Sequence, residues 1–248
     1  MNEPISEADY SKFDSLECRE SKKVWQYFGQ RAQGIFVDVG ANHPTEQSQT
    51  WFLELKGWSG VLIEPNSRLC QLLRAQRPAS KTVQAACCAP EQVGEADLHI
   101  GASDAHSAIN PQFDHALKGE SERVKMRTLD SILAEAGTST VDFLSVDVEG
   151  MEIDVLKGCT LPKFQPRLML IEDHLYDHRT HHYLRQQGYK LVRRTGYNNW
   201  YVPLFVPVSV FTLSTPSELI RLFRKMWLSP PFNSFRRYLR RRKFTRKF

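Results

Sequence analysis

A chain of 248 residues, 41% of them hydrophobic, can bury the core of one full domain, so no second folded domain is required. The net charge of +5 conceals an asymmetry: residues 214–248 hold eleven Lys or Arg against the single acid Glu218, a local +10 that leaves about −5 for the rest. The longest apolar stretch, Tyr201 to Leu213, is broken by Pro203 and Pro207 and is too short to cross a bilayer; with no basic region and apolar core at the N-terminus, the expectation excludes a spanning helix and a secretory leader.

Strand and helix signals alternate along the chain, the pattern of a doubly wound α/β sheet. A leading helix is expected from Leu16 to Phe28, then a strand at Ile35 to Val39, a helix at Thr45 to Leu55, a second strand at Val61 to Glu64, a helix at Ser67 to Ala75 and a third strand at Thr82 to Cys88. Glu95 to Ile100 and Arg123 to Arg127 alternate apolar and polar residues and read as an extra strand pair, with Ser103 to Ser107 a polar loop able to cover a ligand. The run Val141 to Glu152 holds a further strand ending in acids. Met151, Ile153 and Leu156 follow at helical spacing, with Gly158 as a stop. Arg167 to Glu172 reads as the fifth strand and Tyr176 to Gln187 as a helix closed by Gly188. Tyr189 to Arg193 and Trp200 to Phe205 form a hairpin across Gly196, Tyr197, Asn198 and Asn199.

Two of these strands each end in a carboxylate: Phe36 to Asn42 (FVDVGAN) and Gly60 to Asn66 (GVLIEPN). In an open α/β sheet ligands bind beyond the carboxyl ends of the strands, where a Gly turn lets backbone approach and an acid roughly 20 residues on takes ribose hydroxyls. Glu64 follows Gly40 by 24 positions, which fits. The loop after Gly40 reads Ala41, Asn42, His43, Pro44, so the G-x-G-x-x-G cradle for a diphosphate is absent. Asp38 is likewise an awkward neighbour for a diphosphate, whereas it suits a ligand with a cationic amine and sulfonium, S-adenosylmethionine. The alternative is a buried strand pair whose acids merely cap the following helices.

Four ordered motifs, VDVGAN, GWSGVLIEPN, RTLDS and SVDVEGMEIDVLKG, spread between about Gly34 and Phe205, resemble the FkbM family of S-adenosylmethionine-dependent methyltransferases. The resemblance implies a Rossmann-like class I methyltransferase fold, a doubly wound, mostly parallel seven-stranded sheet ending in an antiparallel hairpin. It also implies O-methylation of sugars, glycans or polyketides. By position, Asp38, Gly40 and Asn42 would line the methionine part of the cofactor, Glu64 would hold the ribose, and Asp147 with Glu149 would face the reaction centre. The chain departs from many relatives where His43-Pro44 replaces a second glycine.

A hydroxyl acceptor needs a base near the moment of transfer, and histidine titrates nearest to neutral pH. Asp147 and His174 are the preferred bases, with Glu149 a third catalytic candidate; Asp147 also counts among the cofactor-binding residues. Against these roles, Glu149 before Gly150 can simply place charge at a helix N-terminus, and His174 can be a surface residue. His178, His181 and His182 share a helical face at metal-ligand spacing, but without a Cys or defined carboxylate partner a wet face or substrate surface is the better reading, and no metal is expected. The five cysteines, Cys18, Cys70, Cys87, Cys88 and Cys159, lack C-x-x-C spacing and read as reduced, mostly buried thiols of a cytoplasmic protein.

The expected organisation is a helical lead-in (1–33), a methyltransferase domain (34–213) and a basic amphipathic tail (214–248). In the tail, Leu219, Ile220, Phe223, Met226 and Trp227 fall on one helical side, with Arg221, Arg224 and Lys225 opposite. Pro230-Pro231 breaks the helix before a second basic stretch. An anionic membrane surface is the first partner this suggests, at the inner face of a membrane. RNA is the rival, and a solvated tail partly packed on the domain is the bland alternative. The acceptor that the resemblance implies is a small molecule or glycan. The competing class is a catalytically weak Rossmann-like binding protein acting through its tail on membrane or RNA. Methylation of nucleic acid is disfavoured because no D/N-P-P-Y/F motif follows a strand, and no DNA partner is expected. The absent phosphate loop disfavours a nicotinamide enzyme.

Overall fold

The computed structural model describes residues 16–101, 107–109, 117–173 and 178–228. It is an α/β protein with a mostly parallel seven-stranded sheet. The chain divides into two compact units, residues up to Ile171 and residues from Glu172 onward.

The first unit runs α1 (Leu16–Tyr27), β1 (Ile35–Val39), α2 (Trp51–Leu55), β2 (Ser59–Glu64), α3 (Ser67–Gln76), β3 (Lys81–Gln84), β4 (Ala86–Cys87), β5 (Gly94–Gly101), β6 (Leu117–Arg127), α4 (Leu129–Ala136), β7 (Phe143–Val146), α5 (Glu152–Lys157), α6 (Leu161–Phe164) and β8 (Leu168–Glu172). Its strands take the order β3-β2-β1-β7-β8, all parallel, with Val37 opposite Val61 on one side and Leu144 on the other. Parallel strands are covered on both faces, so their sequences are near-continuous apolar runs. Phe36, Val37, Leu62, Ile63, Phe143 and Leu144 are accordingly buried. A second sheet, β4-β6-β5, pairs β5 antiparallel to β6 as expected from their alternation.

Two local expectations are corrected, and a third, the stop at Gly158, is met through a backbone geometry of its own. The helix expected from Thr45 begins only at Trp51, because side chains intercept the amides that would start it: His43 Nδ1 accepts from the Glu46 amide (3.0 Å), and Ser48 Oγ from that of Trp51 (3.1 Å). The third strand splits at Ala85, whose amide donates to the Glu64 carbonyl, so that β3 pairs with β2 and β4 with β6. Gly158 ends α5 with an ordinary negative φ of −77°; glycine is required there because a Cβ would collide with the Cys88 carbonyl oxygen.

The second unit contains α7 (Arg179–Gln186), β9 (Tyr189–Thr195), β10 (Asn198–Pro203), α8 (Val210–Leu213) and α9 (Pro216–Phe223), followed by a π turn at Arg224–Leu228. β9 and β10 form the expected antiparallel hairpin across Gly196-Tyr197, with a register shift at Trp200/Tyr201. α9 opens with a capping box between Thr215 and Glu218 and packs on β9. Lys225 is corrected from the solvent side of the tail helix to the interior. It is fully buried, its ammonium 2.9 Å from Asp173 Oδ1, while Ile220 and Phe223 remain exposed. A buried partner outweighs the helical pattern here, since a lone interior ammonium would not stay charged.

Candidate functional site

The carboxyl ends of β1, β2 and β7 are tied together by backbone. The Gly40 and Ala41 amides both donate to the Ile63 carbonyl (2.9 and 3.1 Å), and the Asp147 amide donates to Val39 O (3.0 Å). Gly40 has φ +82°, and any Cβ there would overlap the Asp147 carbonyl oxygen, so the turn between β1 and the loop can only be glycine. Asn42 follows with φ +49°, a conformation that Asn tolerates better than most side chains.

Glu64 organises this turn. Its Oε2 accepts from the Asn42 amide and its Oε1 from the Asn66 amide, each at 2.9 Å. Asn66 in turn caps α3, its side chain accepting from the Arg68 and Leu69 amides. The Glu64 side chain is buried, and desolvation pushes its carboxyl from the ordinary 4.5 up to about 7; the two backbone donors oppose the rise, and Asp38 and Glu122 add to it. Glu122 was not singled out in the sequence. Its Oε2 accepts from both the amide and hydroxyl of Ser67 (3.1 Å each) and its Oε1 from Gln84 Nε2 (3.1 Å). Only the alternation of β6 hinted at its facing.

Asp38 is held from behind. Thr50 Oγ1 donates to its Oδ2 (2.7 Å), and the fully buried Arg77 reaches Thr50 Oγ1 (3.2 Å), Ser48 Oγ, the Pro44 carbonyl and Glu54. Burial raises the Asp38 pKa against the pull of Thr50 and Arg77. Asp147 and Glu149 are half-buried after β7, and Glu149 has φ +53°, a strained backbone for a non-glycine residue. The Gly150 amide donates to Glu152 Oε1 (2.8 Å). The structure therefore gathers Gly40, Asn42, Glu64 and the Asp147 backbone at one set of strand ends. His174 and most of the Ser103–Ser107 loop lie outside the described residues. In the RTLDS segment Thr128 caps α4 and Asp130 accepts from the Thr160 amide (2.7 Å), which gives that motif a structural task.

In the second unit, Asp173 Oδ2 accepts from Asn199 Nδ2 (2.8 Å), its carbonyl from Arg194 Nη2 (2.8 Å), and its Oδ1 pairs with Lys225. The wet-face reading of His178, His181 and His182 is corrected for His181, which is buried beside Tyr201, while His182 is exposed. Burial, reinforced by His182, Arg185, His178 and Lys225, lowers His181 to about 4, so its ring is neutral at physiological pH. Among the described residues no group of three or more His, Cys, Asp or Glu could hold a metal ion. Cys70, Cys87, Cys88 and Cys159 are free and buried, and burial pushes their thiols up.

A parallel α/β sheet whose first strand ends in a tight glycine turn clamped by the acid of the second strand defines the Rossmann-like class, without the glycine series of a diphosphate binder. Residues 38–191, more than half of the chain, match the family described as the methyltransferase FkbM domain. The chain belongs to this family. It is also 38% identical over 50 residues to the AMB antimetabolite synthetase AmbE of Pseudomonas aeruginosa, a segment that covers 20% of this chain and 2% of that protein.

Proposed function

We propose that the protein is an S-adenosylmethionine-dependent O-methyltransferase acting on a hydroxyl of a sugar, glycan or related natural product. The observation that carries the cofactor is the clamped Glu64. Each oxygen already receives one backbone amide and retains acceptor capacity for the vicinal hydroxyls of a ribose, and the acidic surroundings of Asp38 and Glu122 favour a cationic ligand over a diphosphate. The bound cofactor supplies an electrophilic methyl group. The chain's part is to hold ribose at Glu64, hold the methionine end along Gly40, Asn42 and Asp38, and take the proton of the acceptor hydroxyl at Asp147 or His174, with Glu149 beside Asp147 in sequence.

Isothermal titration of the full chain with S-adenosylmethionine, its demethylated product and NAD tests this reading. Saturable binding of the sulfur ligands is expected, and binding of NAD alone would overturn it. Glu64→Ala is expected to weaken the cofactor by about 1–3 kcal/mol through loss of charged hydrogen bonds. Asp147→Asn and His174→Ala are expected to lower kcat far more than cofactor affinity; wild-type turnover of the His174 variant across a pH series would remove that residue from the reaction.

Membrane association through the basic segment is favoured by a specific observation. Phe205, Phe211, Ile220 and Phe223 are large apolar side chains left exposed in the second unit, beside exposed Arg221 and Arg224. Among the described residues no helix is long and apolar enough to cross a membrane, and we place the protein in the cytoplasm, peripheral to anionic lipid. Because residues 216–223 pack on β9, the clean test deletes only residues 229–248, which hold eight of the eleven terminal Lys and Arg. Co-sedimentation with anionic vesicles is expected to be lost, and in the intact chain to weaken with salt, since screening acts over about 8 Å at physiological ionic strength. Unchanged vesicle binding, or tail-dependent RNA binding in its place, would sink the membrane assignment.

A further inference from the structure

A cavity of about 650 Å³ lies within the second unit, bounded by α7, β9, α8 and α9. That volume is in the range of about 300–1,000 Å³ typical of small-molecule sites. Its walls are mostly apolar, among them Leu191, Val210, Phe211 and Leu219, and its polar lining comes from His181, Arg185, Lys190 and Tyr189; among the described residues no carboxylate lines it. His181 is 5% exposed, and its Nδ1 is buried with no hydrogen-bond partner among the described residues. Phe211, Phe223 and Leu204, which also line the cavity, are 80%, 53% and 58% exposed. Large apolar side chains left bare around a concave site mark a surface that is covered in use. The polar lining of His181, Arg185 and Lys190 supplies hydrogen-bonding groups and positive charge to an otherwise apolar wall.

We propose that this cavity binds a single-chain amphiphile with an anionic headgroup, a fatty acid or fatty-acyl chain, independently of the methyl-donor site. The apolar chain lies against Leu191, Val210 and Leu219 and covers the Phe211 and Phe223 rings. The headgroup hydrogen-bonds to the neutral His181 ring and meets the positive charge of Arg185, one helical turn further along α7. Lys190 donates to the Val206 carbonyl (2.7 Å) and adds positive charge at the same wall. The positive charge of Arg185 and Lys190 in the lining disfavours a cationic amphiphile on electrostatic grounds.

The test is fluorescence titration of the full chain with 11-dansylaminoundecanoic acid below its aggregation concentration, followed by displacement with palmitate. Saturable one-to-one binding displaced by palmitate at least tenfold more effectively than by methyl palmitate is expected. His181→Phe, which keeps the ring and removes the nitrogens, is expected to weaken the probe about tenfold. Val210→Trp, which fills the cavity, is expected to abolish binding while S-adenosylmethionine affinity stays unchanged. Leu191→Trp repeats the filling from β9 in case the α8 variant does not fold. Retention of wild-type probe affinity in both filled variants would overturn the assignment, as would equal displacement by the ester. Binding that emerges only after deletion of residues 229–248 would show that the chain's own terminus takes the cavity. Uptake from anionic vesicles alone, undiminished in Val210→Trp, would assign the effect to surface charge. Failure of S-adenosylmethionine to bind leaves this result standing, because the two titrations are read separately.

Discussion

Lys225→Ala is expected to destabilise the second unit by about 3–5 kcal/mol, the cost of leaving a buried charge without its partner. The Lys225 side chain is fully buried and that of Asp173 is 2% exposed, with 2.9 Å between Nζ and Oδ1. Asp173 retains hydrogen bonds from Asn199 Nδ2 and, through its carbonyl, from Arg194, so the lower half of that range is the more reasonable figure. Arg194 is already strained electrostatically, its pKa lowered by burial although Asp173 pulls it up. Urea denaturation with hydrogen exchange of the β9 and β10 amides measures the loss where it occurs. The double variant Asp173→Asn with Lys225→Met, which removes both charges, is expected to recover most of the stability. A loss below about 1 kcal/mol in Lys225→Ala would mean that the pair behaves as an exposed one. Arg193 and Glu218, 2.8 Å apart and both largely buried, add a second bond between β9 and α9. Residues 216–225 are therefore part of the packed unit, and cutting the chain at residue 213 would remove buried groups along with the basic segment.

The difference between what the sequence disclosed and what it hid follows the range of the interactions. β1, β2 and β7 were legible because strands buried on both faces are near-continuously apolar, and FVDV, GVLI and FLSV keep that pattern apart from Asp38 and Ser145. The Gly40 turn and Glu64 were legible because spacing along adjacent parallel strands maps onto spacing in the sheet. Lys225 was not, since a helical pattern assigns every lysine to water and its partner Asp173 lies 52 positions away in another element. Glu122 was missed for the same reason: Ser67, which it anchors, is 55 residues distant. The shortened α2 was decided by His43 and Ser48 acting as local acceptors, a choice that depends on backbone geometry more than on composition. Arg77, entirely buried and bonded to Glu54 and Ser48, belongs to the same class of long-range polar bond that no periodicity announces.

Glu64 sets the second large effect, which is a dependence on pH. Its carboxyl titrates near 4.5 when the chain is unfolded and near 7 in the folded site, with desolvation the leading cause. Between those values the folded state binds more protons than the unfolded one, so stability falls as pH rises from about 4.5 to 7, by about 3 kcal/mol for a shift of this size. Ribose hydroxyls donating to the carboxylate stabilise its ionised form and lower that pKa, so cofactor binding and deprotonation of Glu64 reinforce each other. If only the ionised form binds, the competent fraction rises from about 0.1 at pH 6 to about 0.9 at pH 8, and the apparent Kd for S-adenosylmethionine is expected to tighten about tenfold across that interval. Calorimetry near pH 7 in buffers of different ionisation enthalpy is expected to register release of a fraction of a proton on binding. Glu64→Gln is expected to abolish both the release and the pH slope. It should also loosen the turn, because an amide nitrogen cannot accept from the Asn42 or Asn66 backbone. An affinity independent of pH in the wild-type protein would show that the carboxyl is already ionised, held so by those two amides against the burial that opposes them.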